Sequence, residues 1–244
     1  MSTLTRLVGG AALITLATTV VLGLGLPPTQ EQGDYVRLIA IHPPLAWASY
    51  LSFGVTALAS AAYLLPRTRA RRWDHIAGAS AEVGVVFTAL TLITGSIWGR
   101  PTWGVWWVWD ARLTLTALML FLFLGYLALR RVGGDPDTNA KRSAIAALLA
   151  VTVVPIDHFA VQWWRTLHQR QSLTLTPKEN LDGNYIAVML LGFVAITLTY
   201  AWLTMHRFRV EQAMDEAGDR SLDAAIAERR AEAGAATTTT AVGR

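Results

Sequence analysis

The chain contains no cysteine, which excludes disulfides, thiolate metal ligands and dithiol chemistry by this chain alone. Charge is scarce too: 16% of the 244 residues are charged against 53% hydrophobic, where a soluble domain carries about 25% charged residues. Only five histidines occur, so any metal chemistry must draw on a short list of imidazoles, carboxylates and methionines. The net charge of +4 does not point to nucleic acid, because Lys and Arg sit in short runs between apolar stretches instead of along one face.

What the sequence does have is length in its apolar runs. A bilayer crossing takes about 20 mostly apolar residues, and six stretches qualify, at roughly 7–26, 44–65, 76–98, 113–130, 143–161 and 185–206. The expected fold is an all-α integral membrane protein of six transmembrane helices, occupying residues 1–210. The first run exceeds the h-region of about 7–15 residues in a signal peptide and shows no small-x-small cleavage site, so it reads as an uncleaved helix. Residues 211–244 turn to Glu, Asp, Arg and Ala before a Thr/Ala/Gly tail, which reads as a cytoplasmic helix with a disordered end.

Threading six spans in order puts three basic clusters on one side: Arg67, Arg69, Arg71 and Arg72; then Arg130, Arg131, Lys141 and Arg142; then Arg207 and Arg209. The positive-inside rule makes that side, with both termini, cytoplasmic. Loops 27–43, 99–112 and 162–184 then face outward, with Arg37, Arg100, Arg112, Arg165, Arg170 and Lys178 scattered singly.

Five of the ten tryptophans fall in one outer loop: Trp98, Trp103, Trp106, Trp107 and Trp109. An interfacial aromatic belt spreads its rings over several helix ends, whereas this cluster is concentrated. Gly99, Arg100 and Pro101 are expected to break the third helix, and Trp103 to Asp110 to form a short helix in the interface plane. Trp103, Trp106, Trp107 and Asp110 would then share one face at i, i+3, i+4 and i+7. Asp110 and Arg112 hold the loop at the surface, since such charges cost about 2.5–3.5 kcal/mol at the bilayer centre. Asp110 is also placed to cap the fourth helix.

A flat indole surface suits a large planar ligand with charged edges. Stacking contributes about 0.5–1.5 kcal/mol per aromatic pair beyond burial, and Arg100, Arg112 or Arg165 could pair with carboxylates. Quinones, lipids or another protein's helix remain open on the indoles alone. Sidedness sorts the histidines: His75 and His206 lie on the cytoplasmic side, while His42, His158 and His168 are on the outer side. His42 precedes Pro43 and Pro44, which fixes it at the start of the second span. Trp164 and His168 form an i, i+4 pair if their stretch is helical. Two neutral imidazoles converging on an apolar surface are what six-coordinate haem iron uses, and spacing alone does not decide between His158 and His168 as partner to His42.

The run Trp98-Gly-Arg-Pro-Thr-Trp-Gly-Val-Trp-Trp-Val-Trp-Asp110-Ala-Arg-Leu-Thr114, with Leu38-Ile-Ala-Ile-His42-Pro before it and Trp163-Trp-Arg-Thr-Leu-His168-Gln after it, resembles the WWD signature of haem-handling proteins in cytochrome c maturation. With six spans and a single WWD loop (98–114), the chain resembles the CcmC family from about residue 30 to 205. Larger relatives, CcmF and the CcsA-type synthases, share the motif but have more spans or added domains. The resemblance implies that His42 and His168, over His158, are axial ligands of haem b. It also implies that Trp103, Trp106, Trp107, Trp109, Asp110, Trp164, Arg100 and Arg112 belong to the haem site. Delivery would be to the haem chaperone CcmE at the periplasmic face of a bacterial inner membrane, with CcmA, CcmB and CcmD as further partners. Two departures are a double proline after His42 where one is usual, and the C-terminal extension.

No nucleophile or acid–base constellation stands out on the outer side, so the expectation is haem binding and transfer by a lipid-embedded protein, with no catalysis and no nucleic acid. A quinone-linked b-type cytochrome would carry its ligands deeper within facing helices. A transporter of small apolar molecules would show broken helices and midplane polar groups.

Overall fold

The structure, a computed structural model, describes residues 2–168 and 183–242, with side chains through Arg230. Arg170 and Lys178 lie outside the described residues. The helices are α1 (Thr3–Leu24), α2 (His42–Leu64), α3 (Arg71–Trp103), α4 (Ala111–Arg130), α5 (Pro136–Ala150), α6 (Val153–Trp163) and α7 (Gly183–Val242), with a 3-10 helix at Asp34–Ala40. Six segments are long and apolar enough to cross a membrane, α5 and α6 together making the fifth, so the chain is an all-helical integral membrane protein.

Local chemistry sets the helix ends. Pro43 and Pro44 occupy the first turn of α2, where a missing N–H leaves no helical bond unmade. Asp135 caps α5 by accepting from the Thr138 amide at 2.8 Å. Pro155 explains the break in the fifth span: it has no N–H to offer the Val151 carbonyl and its ring crowds that oxygen. The helix accordingly stops at Ala150 and restarts at Val153.

The third span does not end at Gly99–Pro101 as the sequence suggested; α3 runs through Pro101 to Trp103. So near the helix end the proline forfeits a single backbone bond, and Thr102 Oγ1 turns back to donate to the Trp98 carbonyl at 2.9 Å. Termination falls to Gly104, at φ 79° in the left-handed region, whose N–H reaches the Arg100 carbonyl. Residues 104–110 are not helical, so the expected one-faced tryptophan helix does not form. At the other end of the chain the Ala/Glu/Arg-rich extension continues α7, which is helical to Val242, in keeping with the high helix propensity of Ala, Glu and Arg.

Lipid tails are as apolar as leucine, so the spans associate through close packing and hydrogen bonds more than through hydrophobic expulsion. The α2–α3 pair carries the small residues this requires. Ser80 Oγ donates to the Ser52 carbonyl at 2.7 Å and meets Tyr200 Oη of α7 at 2.8 Å. A Cβ on Gly84 would collide with Ser52 and Phe53. Phe53 in turn stacks on Phe123 of α4 with centroids 3.6 Å apart. Leu118, Phe121 and Leu122 of α4 are exposed, as a lipid-facing surface is.

The two ends of the bundle differ in chemistry. One gathers ion pairs that tie α7 to α3 and α4: Arg130 with Asp74 at 2.5 Å and Glu211 at 3.4 Å, Arg71 with Asp215 at 3.0 Å, and Arg207 with Glu82. His75 and His206 are here, the first beside Asp215 and the second against Trp202. The five tryptophans of residues 98–109, with Trp163 and Trp164, and the other three histidines are at the opposite end.

Candidate functional site

At the tryptophan end a cavity of about 630 Å³ opens between α2, α3, α4, α6 and α7, within the ~300–1,000 Å³ typical of small-molecule sites. Helical spacing builds its walls. His42, Ala46, Ser49 and Tyr50 form one face of α2 at i, i+4, i+7 and i+8, and Arg112, Thr116 and Met119 one face of α4. Trp98 and Trp103 come from α3, Trp107 from the loop after it, Asp157 and His158 from α6, and Met189 and Phe193 from α7.

His42 is the first residue of α2. Its Nδ1 lies 3.0 Å from Thr94 Oγ1, and that hydroxyl donates its single hydrogen to the Leu90 carbonyl at 2.8 Å. The threonine oxygen therefore accepts from Nδ1–H, which leaves the lone pair of the neutral ring on Nε2. The ring meets Trp98 edge-on at 5.7 Å, and Trp98 is itself held by its Nε1–H to Gln32 Oε1 at 3.0 Å. Gly95 makes room: a Cβ there would sit 3.0 Å from His42 Cε1.

His168 lies with its ring centre 6.5 Å from that of His42, the planes 33° apart. Two metal–imidazole bonds of about 2.0–2.1 Å, with roughly 1.1–1.2 Å from each nitrogen to its ring centre, span about 6.2–6.6 Å. The pair is thus at the separation of two imidazoles sharing one metal ion. Among the described residues no three His, Cys, Asp or Glu side chains gather as metal ligands. A metal held by this pair would draw its other ligands from beyond these side chains, and the indoles of Trp103 and Trp107 line the same space.

Asp110 connects the loop to this pair. Its Oδ1 caps α4 through the Leu113 amide at 2.9 Å, and its Oδ2 accepts from the Leu167 amide at 3.1 Å, one residue before His168. The expected i, i+4 support of His168 by Trp164 is absent, because α6 ends at Trp163 and Trp164 is extended (φ −123°, ψ 158°). Trp103 takes that place, its ring centre 6.1 Å from His168.

Other expected site residues separate. Of Arg100, Arg112 and Arg165, only Arg112 lines the cavity; Arg100 bends back onto the Gly104 carbonyl. Trp106, Trp109 and Trp164 are 60%, 79% and 50% exposed and lie outside the cavity wall. His158 does line it, packed against Tyr50 at 5.9 Å and Phe159 at 5.0 Å, but the imidazole beside His42 is that of His168, tilted by 33°.

Sequence reasoning missed Trp98 as a wall residue, and with it Thr94, Tyr50, Thr116 and Asp157. Asp157 is fully buried and accepts from Tyr50 Oη at 2.7 Å, with Thr116 Oγ1 at 3.2 Å from both its oxygens. The available signal was a carboxylate inside a span, which is rare enough to mark a site.

Fold and cavity together define a class: a six-span helical membrane protein with an indole-walled chamber and two imidazoles at metal-sharing distance. The sequence model of the family CcmC, "Heme exporter protein C", matches residues 1–223. Heme exporter protein C of Haemophilus influenzae is 37% identical over 206 residues, covering 84% of this chain and 83% of that one. Its counterpart in Bradyrhizobium diazoefficiens is 38% identical over 201 residues (80% and 76%), and that in Escherichia coli K12 is 34% identical over 201 residues (82% and 80%). The chain belongs to the CcmC family.

Proposed function

We propose that this protein binds haem b at the tryptophan end of its bundle and hands it on during cytochrome c maturation, with His42 and His168 as axial ligands. The observation that carries the reading is the 6.5 Å separation of the two rings beside an indole-walled cavity. Trp98, Trp103 and Trp107 would flank the porphyrin and Arg112 would neutralise a propionate. Trp106, Trp109 and Trp164, exposed around the site, are suited to meet the interfacial lipid and the receiving protein.

In this reading the ion-paired end is cytoplasmic, because Arg67, Arg69, Arg71, Arg72, Arg130, Arg131, Lys141, Arg142, Arg207 and Arg209 all belong to it. The haem end then faces the periplasm from a bacterial inner membrane. The receiver is the haem chaperone CcmE, and CcmA, CcmB and CcmD complete the assembly. The work is binding and transfer: the described residues of the cavity offer ligation, stacking and the guanidinium of Arg112.

The test is the absorption spectrum of detergent-purified protein supplied with haem, beside His42→Ala, His168→Ala and His158→Ala. The unaltered protein and His158→Ala should give a six-coordinate low-spin spectrum, and each of the other two should lose it. An unchanged spectrum in both His42→Ala and His168→Ala would refute the axial assignment.

A further inference from the structure

The ring of His42 is carried by α2 but seated by α3. The three α3 residues that meet it, Thr94, Gly95 and Trp98, fall at i, i+1 and i+4 and so share one face of their helix. Each supplies something different. Thr94 Oγ1 stands 3.0 Å from Nδ1, the missing side chain of Gly95 leaves room for Cε1, and the Trp98 indole meets the ring edge-on at 5.7 Å. Trp98 is fixed in turn by its bond to Gln32, in the segment that precedes α2. Gly95 and Trp98 also line the cavity, whereas Thr94 acts only on the ring.

A neutral imidazole has one N–H and one lone pair, and the nitrogen that keeps the hydrogen cannot bind a metal. In this seat Thr94 makes the choice. Its hydroxyl hydrogen points back along α3 to the Leu90 carbonyl at 2.8 Å, with the Thr91 carbonyl next at 3.2 Å, the local bond that a threonine inside a helix makes to the turn before it. The oxygen has only lone pairs left for Nδ1, so the ring hydrogen stays there and Nε2 is the donor atom. An acceptor on the far nitrogen also makes an imidazole a stronger base toward a metal. A hydroxyl does this more gently than a carboxylate in the same place, because its hydrogen bond is not charge-assisted.

We infer that Thr94 is the positioning residue for ligation by His42: it commits the ring to Nε2, holds it oriented before a cargo arrives, and sets how strongly it donates to the cargo's metal. This rests on the haem reading above and deepens it, since it assigns the grip of one axial ligand to a side chain that touches the ligand and not the cargo. A moderate grip suits a protein whose cargo must leave for a receiver.

Replacing the ring by free bases tests this. Full-length His42→Gly in detergent, supplied with haem, is titrated with imidazole and with 1-methylimidazole; both can bind iron, but only imidazole keeps an N–H on the nitrogen away from the metal. Imidazole should restore the six-coordinate low-spin spectrum at the lower concentration. Adding Thr94→Val keeps the branched shape, and any steric exclusion of the methyl group, but removes the acceptor. The preference for imidazole should then fall about fivefold, the worth of one neutral hydrogen bond, and Thr94→Ser in its place should retain it. With His42 intact, Thr94→Val should weaken haem binding about tenfold, the lower end for loss of an outer-shell partner. It should also raise the haem midpoint potential, because a less basic ring favours ferric iron less, and Thr94→Ser should behave as the unaltered protein does. An unchanged preference in Thr94→Val overturns the inference. So does weaker haem binding at an unchanged midpoint potential, which would make Thr94 only a packing contact. If His42→Gly stays six-coordinate without added base, the axial assignment is refuted and this inference with it, whereas a five-coordinate His42→Gly with an unchanged preference refutes the role of Thr94 alone.

Discussion

Asp110 serves two masters with its two oxygens, and substitution can separate them. Asp110→Ala removes the cap of α4, costing about 0.5–2 kcal/mol of helix stability. It also releases the Leu167 amide. That bond is charge-assisted but open to solvent, so about 1.5 kcal/mol, the low end for such bonds, is the appropriate figure. At 1.4 kcal/mol per factor of ten, the segment bearing His168 would leave its docked position about tenfold more often, and haem affinity would fall by about that factor. Asp110→Asn makes the test sharper. Asparagine caps helices as well as aspartate does but has one carbonyl oxygen, so it can serve Leu113 or Leu167 but not both. Asp110→Asn should melt within a degree or two of the unaltered protein in detergent yet share the affinity loss, with a five-coordinate component at sub-saturating haem. If Asp110→Asn binds haem with full affinity and a purely six-coordinate spectrum, Asp110 does not position His168.

Three further outcomes follow from packing. Gly95→Val should displace the His42 ring, since even a Cβ stands 3.0 Å from Cε1; the haem spectrum should change while helix content by circular dichroism does not. Phe123→Ala removes the partner of Phe53 from a fully buried stack and should destabilise the detergent-solubilised protein by about 3–5 kcal/mol, read as a lower midpoint in a denaturant titration. Because the chain has no cysteine, single cysteines report sidedness cleanly. Trp109→Cys, at a position 79% exposed, should react with an impermeant maleimide in intact spheroplasts, and Val132→Cys, at a 52% exposed site on the other end, only after lysis.

Much of this was legible before any coordinates. Six apolar runs became six spans, and the proline pair after His42 placed that histidine at the start of α2, because both signals are local. The helix drawn through Trp103–Asp110 was not legible, since i, i+3, i+4 spacing describes a face only if the backbone is helical, and Gly104 ends the helix just before it. The Trp164–His168 pairing, which needed a helix there, fails for the same reason, since α6 ends at Trp163. Trp103 beside His168 is a contact between α3 and a distant segment, fixed by Asp110 reaching across to Leu167, and no periodicity encodes such a reach. Asp157 could have been flagged from its rarity in a span, but its partners Tyr50 and Thr116 lie 107 and 41 residues away in sequence.

The break at Val151–Thr152 makes the two walls of the chamber mechanically unequal. His42 begins a helix of 23 residues locked into the α2–α3 seam, whereas His168 follows α6, a rod of 11 residues joined to α5 by a turn that keeps only the tighter bonds Thr152 N–H to Leu149 and Val154 N–H to Val151. Tilting α6 about that joint strains no continuous helix, while moving His42 would unseat the centre of the bundle. The chamber is therefore built asymmetrically, His42 on one unbroken helix and His168 beyond a jointed one, and under the haem reading proposed above the His168 side is where a flat guest would be uncovered first.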